Sequence, residues 1–166
     1  MDRKMIKMFG GLRTFLIGYH NPIVHSYYVI KAWHIIFNKY PNSREFICIL
    51  FHDIGYIEQR KSNVNPEVDI HPILGAKICG SLFGKEYYNL CIAHSRDYAK
   101  KLNIPISKLC YADKYGAVLI PFKNHKIIHF FDSPEVTIDT VREFRKSCKI
   151  WCDKNIKNIN REIHNA

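Results

Sequence analysis

The side chains able to bind a metal fall in order along this chain: His25, the adjacent pair His52 and Asp53, then His71, His94 and Asp113. Each sits among apolar neighbours, where a polar group without a partner is costly to bury. Asp53 is the sharpest case, because it interrupts the run Leu50-Phe51-His52-Asp53-Ile54-Gly55. A carboxylate there needs a partner or a metal. Imidazole and carboxylate together suit borderline divalent ions, namely manganese, iron, nickel, cobalt or zinc. Four such ligands fill one site. All six, with one carboxylate shared, fit a centre of two ions that can polarise a phosphoryl group and ionise a water. The remaining histidines, His20, His34, His125, His129 and His164, read as ordinary core or surface residues.

Two cations stand beside these ligands. Arg96 follows His94 by two positions and Lys114 follows Asp113 directly. Either can clamp phosphate oxygens and stabilise developing charge, which makes Asp53, Arg96 and Lys114 the candidate catalytic residues. Arg96 is favoured for phosphate contact because a guanidinium makes paired hydrogen bonds. On a regular helix, however, it points about 200° away from His94, so it reaches the same place only if the helix ends or bends near Ser95. Arg60, Lys61 and Asn63 could rim the pocket.

Helices must position these groups, since helical periodicity dominates the chain. From Pro22, the residues His25, Tyr28, Val29, Ala32, Ile35 and Ile36 share one face. Pro41-Asn42-Ser43 ends that helix, and Ser43 is a plausible N-cap for a second helix through Phe46, Ile49, Leu50 and Asp53. Neighbouring helical residues diverge by about 100°, so His52 and Asp53 converge on one ion only near a helix end, which Gly55 allows. Residues 58 to 70 read as a polar loop. A helix from His71 places Leu74, Gly75, Ile78 and Leu82 on one side, and Gly84 interrupts it. A further helix spans about Lys85 to Lys100. Pro105-Ile106-Ser107 starts another, carrying Leu109, Cys110 and Asp113. The segment 119 to 133, with Lys126-Ile127-Ile128-His129, is open to strand, loop or helix. Pro134 and Glu135 then open a long amphipathic helix with Val141, Phe144, Cys148 and Trp151.

The 166 residues suit a single domain, and 47% hydrophobic content supports one sizeable core. The formal charge of +10 attracts anions, whether phosphorylated metabolites, nucleotides, nucleic acid or acidic membranes. Its basic clusters (Arg3, Lys4, Lys7 and Arg13; Arg142, Arg145, Lys146, Lys149, Lys154, Lys157 and Arg161) read as solvated helix faces. Four of the six cysteines, Cys48, Cys79, Cys91, Cys110, Cys148 and Cys152, lie in apolar runs and read as small buried hydrophobes. No CxxC pair occurs, which argues against a disulfide framework or a zinc knuckle. No run approaches the roughly 20 apolar residues of a membrane span. A soluble, cytoplasmic protein is expected.

The ordered motifs resemble those of the HD-domain metal-dependent phosphohydrolases. The resemblance rests on Leu50-Phe51-His52-Asp53-Ile54-Gly55, with His25 upstream. His71-Pro72-Ile73-Leu74-Gly75-Ala76, Ile92-Ala93-His94-Ser95-Arg96 and Tyr111-Ala112-Asp113-Lys114 follow. It covers about residues 22 to 118, with a helical extension at 134–163, and implies an all-α, single-domain helical bundle around the metal site. It also implies that His25, His52, Asp53 and Asp113 hold a first ion, and that His71 and His94 hold a second with Asp53 bridging. The chain departs from many relatives at Tyr56, where many have lysine, and at His94-Ser95, where many have paired histidines. The HD-GYP signature and the glycine- and proline-rich motif of deoxynucleotide triphosphohydrolases are absent. The arrangement is closer to small single-domain HD proteins, including diadenosine-tetraphosphate hydrolases.

The expected activity is hydrolysis of a phosphate ester or anhydride in a nucleotide or related small metabolite, with one or two divalent transition ions. Two other readings stand beside it: a degenerate HD fold that senses nucleotides, and a nucleic-acid-directed hydrolase. The second is not favoured, because no RNA-binding or helix-turn-helix signature is evident.

Overall fold

Asn21 opens the first described helix. Its side chain accepts the N–H groups of Ile23 and Val24, each at 3.0 Å, and Pro22 presets the first turn. The computed structural model describes residues 21–59, 70–121 and 138–164, and these are helical with no strand among them. The helices are α1 (Pro22–Phe37), α2 (Ser43–Phe51), α3 (Tyr56–Gln59), α4 (His71–Phe83), α5 (Lys85–Ile92), α6 (Arg96–Lys101), α7 (Lys108–Leu119) and α8 (Ile138–His164). Together they form the all-α bundle that the periodicity predicts. The basic N-terminal cluster, Arg60, Lys61, Asn63, the uncertain stretch beyond Pro121 and the Pro134-Glu135 helix start lie outside the described residues, as does the side chain of Val141.

Several local expectations are corrected. The cap of α2 is Asn42 rather than Ser43. Asn42 accepts from the N–H groups of Arg44 and Glu45 at 3.0 and 2.9 Å, and Glu45 accepts in return from the Asn42 N–H at 2.8 Å. That reciprocal box satisfies three end donors, and its capping side chain is worth about 1 kcal/mol. The buried face of α1 is rotated toward Ser26, Trp33 and Phe37, leaving Ile35 about half exposed. On α4 the packed face is His71, Pro72, Gly75, Ala76 and Cys79, while Leu82 is exposed. Small residues face inward there because another backbone must come close.

The helix expected over Lys85 to Lys100 is two helices. Ala93 ends α5, and Ser95 sits in extended backbone before α6. The cause is tertiary. Ser107 donates its Oγ–H to the Leu90 carbonyl at 2.8 Å and its N–H to the Ala93 carbonyl at 3.1 Å, the acceptors a continuous helix would use. Gly84, with φ of 93° and ψ of −179°, makes the turn between α4 and α5 in a conformation suited to glycine.

Two packed halves result. In one, Val29, Ala32, Trp33, Ile36 and Phe37 of α1 pack with Ile49 of α2 and with Leu109 and Ala112 of α7. In the other, Cys48 of α2 packs with Ala76 and Cys79 of α4, with Tyr87, Cys91 and Ile92 of α5, and with Ala99 of α6. Full burial of a side chain such as Val29, Ile49 or Leu109 contributes roughly 1.5–3 kcal/mol. Helix α2 belongs to both halves, and its C-terminal end lies on the seam. Helix α8 closes over α7 through Cys148, against Ala117 and Ile120. Arg145 donates to the Val118 carbonyl at 2.9 Å and to the Ile120 carbonyl, satisfying acceptors that the end of α7 leaves open.

Candidate metal centre

The chain leaves helical geometry at three of the candidate ligands, His52, Asp53 and His94. Helix α2 ends at Phe51, and His52 is its cap, so Asp53 lies in the turn beyond and not on the helix as expected. Bonds from the Ile54 N–H to the Phe51 carbonyl (3.1 Å) and from the Tyr56 N–H to the Asp53 carbonyl (3.0 Å) shape that turn. His94 sits in the break between α5 and α6. His25 projects from α1, His71 begins α4, and Asp113 projects from α7.

All six proposed ligands meet, and all are buried. Asp53 is the hinge of the arrangement. Its Oδ2 lies 3.4 Å from His25 Nε2 and 3.3 Å from His52 Nε2. Its Oδ1 lies 3.3 Å from His94 Nε2 and 3.6 Å from His71 Nε2. Asp113 Oδ1 joins the first set, 3.1 Å from His25 Nε2. Two donor groups result, His25/His52/Asp53/Asp113 and Asp53/His71/His94, with the donor atoms of each within 4.8 Å of one another.

The ring protons are fixed by the backbone. His52 Nδ1 donates to the Ile49 carbonyl at 2.7 Å, and His94 Nδ1 donates to the Cys91 carbonyl at 2.5 Å. A carbonyl can only accept, so both Nδ1 atoms carry hydrogen and both Nε2 atoms are available as donors to a metal. For His94 this sets a bare nitrogen lone pair toward the Asp53 carboxylate. Two acceptors facing at 3.3 Å call for a cation between them. The donor chemistry and this opposition fit a borderline divalent ion, which these residues could hold.

Protonation in the metal-free protein follows from burial and charge. Burial opposes the charged form of His52, yet the adjacent Asp53 carboxylate wins and raises it to about 9. Burial dominates at His94 and lowers it to about 4. Burial also opposes ionisation of Asp113, but Lys114 and His25 overcome it and hold the carboxyl well below its usual range. Lys114 itself is raised by Asp113 against the cost of burial.

These shifts give opposite limbs of a stability profile. The raised His52 stabilises the fold fully below its unfolded value of 6.5, and that contribution is lost as pH rises through 9. The lowered His94 contributes above 6.5, and the contribution is lost as pH falls through 4. Asp113 adds to the acid loss. Chelated protein is therefore expected to be most stable near pH 6.5, with each limb costing on the order of 3 kcal/mol. Urea midpoints measured from pH 4 to 9 check this, and a steady rise toward alkaline pH would contradict the His52 assignment.

The two proposed phosphate cations separate. Lys114 Nζ is 2.7 Å from Asp113 Oδ2, with its side chain about 30% exposed, so it stands at the edge of the ligand set. Arg96 follows the helix break that phosphate contact would require but is exposed, with its guanidinium 5.4 Å from the centroid of the Trp151 ring. It lines an open groove of about 420 Å³ with Lys146, Trp151 and Lys154 of α8. On α8, Arg142 and Lys149 pair with Asp139 and Asp153 on solvated faces, whereas Arg145 is structural.

Three supporting residues escaped the sequence reading. The Tyr56 ring stacks on His71 at 4.5 Å with an 8° interplanar angle, fixing that imidazole. Ser26 Oγ donates to the Ile49 carbonyl at 3.1 Å, tying α1 to α2 beside His25. Gly75 lets α4 reach the backbone of Phe51 and His52. Of the three, Tyr56 left a signal as a departure from the family pattern, and Gly75 as part of the motif that begins at His71.

Comparison with protein-family models, curated proteins and solved structures found no match. Among the described residues, no helix is long and apolar enough to cross a membrane.

Proposed function

We propose that this chain is a metal-dependent phosphohydrolase of the HD type, acting on a phosphate ester or anhydride of a nucleotide or related small metabolite. One observation carries the reading. Each oxygen of a single buried carboxylate, Asp53, faces its own pair of imidazole nitrogens. The four imidazoles around Asp53 can present lone pairs to an ion once deprotonated, which the fixed cations of a lysine or arginine ion-pair network cannot.

Divalent ions in such a donor set supply Lewis acidity toward the phosphoryl oxygens and acidify water. His25, His52, Asp53 and Asp113 would hold one ion, and Asp53, His71 and His94 a second. The anchored Nδ1–H groups of His52 and His94 keep their rings aimed without reorganisation. Lys114, held against Asp113, sets a positive charge at the edge of the site, where a phosphate would arrive. It replaces Arg96 as the favoured phosphate contact, because Arg96 is engaged by Trp151. The overall positive charge draws anionic substrates to the surface.

The test is a screen of nucleotides, dinucleotides and sugar phosphates with each candidate metal. Release of phosphate or nucleotide is expected with at least one pair. Lys114→Ala should lower turnover about tenfold, equivalent to about 1.4 kcal/mol, with metal retained, while Arg96→Ala stays near wild type. Metal-loaded protein that binds nucleotides but turns over none would instead identify a sensor.

A further inference from the structure

Three cysteines far apart in sequence meet behind the His/Asp centre. Cys48 of α2, Cys79 of α4 and Cys91 of α5 are fully buried, and their Sγ atoms lie within 4.8 Å of one another. All three are free thiols. We propose that this trio is a second, separate metal site that binds one copper(I) ion in trigonal sulfur coordination.

The geometry sets the number of ligands. Three sulfurs about 2.3 Å from a central ion stand roughly 4.0 Å apart in a trigonal plane. The observed cluster, with its sulfurs within 4.8 Å of one another on three helices, is near enough to close to that spacing by small side-chain movements. No fourth His, Cys, Asp or Glu among the described residues joins the group, whereas a structural zinc site takes four ligands. Thiolates are soft and select copper(I) over the harder ions suited to imidazole and carboxylate. The two centres would therefore differ in the metals they take, although both draw on α4 and on α2 or its C-terminal end.

The neighbouring Cys48 and Cys91 thiols lower the pKa of Cys79 while Cys48 and Cys91 are themselves pushed up, so one sulfur of the trio is the readiest to ionise. On binding, the ion takes sulfur lone pairs and displaced S–H protons pass to solvent; no sulfur changes oxidation state. The site is also wired to the first centre. The Cys48 carbonyl accepts the His52 N–H at 2.8 Å, and the Cys91 carbonyl accepts His94 Nδ1 at 2.5 Å. An ion on the thiols would hold in place Cys91, whose carbonyl orients the His94 imidazole, and Cys48, whose carbonyl anchors the His52 backbone.

The test uses the full chain, reduced and metal-free, titrated with copper(I) against a chromophoric copper(I) chelator. One equivalent should be withheld from the chelator, and X-ray absorption at the copper edge should show three sulfur neighbours and no nitrogen. Cys79→Ala should weaken that binding by more than the roughly 10–100-fold typical of losing an outer-sphere partner. His71→Ala should leave it unchanged, which separates this site from the His/Asp centre. The wild-type titration does not depend on any variant folding. Copper fully surrendered to the chelator, or bound through nitrogen, would overturn the proposal.

Discussion

Asp53→Ala is expected to lose both ions and all hydrolysis together. Asp53 alone contributes to both donor groups, one oxygen to each. Without it, the first group retains one carboxylate and the second none. The change also removes the charge that does most to raise His52, leaving burial opposed only by the weaker pull of Asp113 and the Ile49 carbonyl, which favours the neutral form. The imidazoles remain as donors but lose the anion that offsets the charge of the ions. Elemental analysis of purified protein should find one or two ions per chain in the wild type and none in the variant, with the helical circular dichroism retained. His71→Ala and His94→Ala give the contrast, since each should remove only the second ion. Normal metal content in Asp53→Ala would refute the bridging role. Unchanged metal and activity in both histidine variants would leave a single-ion enzyme.

Gly75→Ala should be nearly as damaging, although Gly75 is not a ligand. A Cβ at this position would stand 2.3 Å from the Phe51 carbonyl oxygen and 2.9 Å from that of His52. Both obstacles are backbone, so α4 must retreat from the end of α2. Overpacking of this kind costs about 3 kcal/mol, at the upper end of its usual range. For a chain of this size that is roughly 6 °C or more in melting temperature. Retreat also separates His71, on α4, from Asp53. Calorimetry and metal analysis should therefore fall together, whereas Leu82→Ala, on the exposed side of the same helix, should change neither. A Gly75→Ala protein with normal stability and metal content would show that the close approach is not needed.

The candidate ligands were legible in sequence because chemistry and cost coincide at them. An aspartate after Leu50-Phe51 or a histidine after Ile92-Ala93 has to be satisfied inside the fold, and few partners are available there. The end of α2 near Gly55 was legible for a related reason: adjacent His52 and Asp53 cannot share an ion on a regular helix. Most of what the sequence hid was set by distant contacts. The break at Ala93 depends on Ser107 capturing carbonyls fourteen and more positions away, and the polar run Ser95-Arg96-Asp97 permits it without requiring it. Asn42 and Ser43 are both good caps, and only the return bond from Glu45 decides between them. Hydrophobicity alone favours Leu82 as a core residue, but the fold needs the small face of α4 against α2. The cysteine trio has no sequence signature at all. Cys48, Cys79 and Cys91 obey no ligand spacing, and three helices had to pack before they could meet.

The seam at the end of α2 has a consequence for how long the protein survives in a cell. One donor group draws chiefly on α1 and α7, the other on α4 and the turn after α5, so bound ions would fasten the two halves to each other through Asp53. An ion that binds the folded chain and not the unfolded one adds about 2.7 kcal/mol when present at a hundred times its dissociation constant. Opening of the bundle, and with it exposure to proteases, becomes rarer by the same factor of about a hundred. Abundance would then track metal supply: chains made during scarcity would be degraded quickly, and those made in plenty would accumulate. The residues proposed to perform the chemistry would thus also set the lifetime of the chain that carries them.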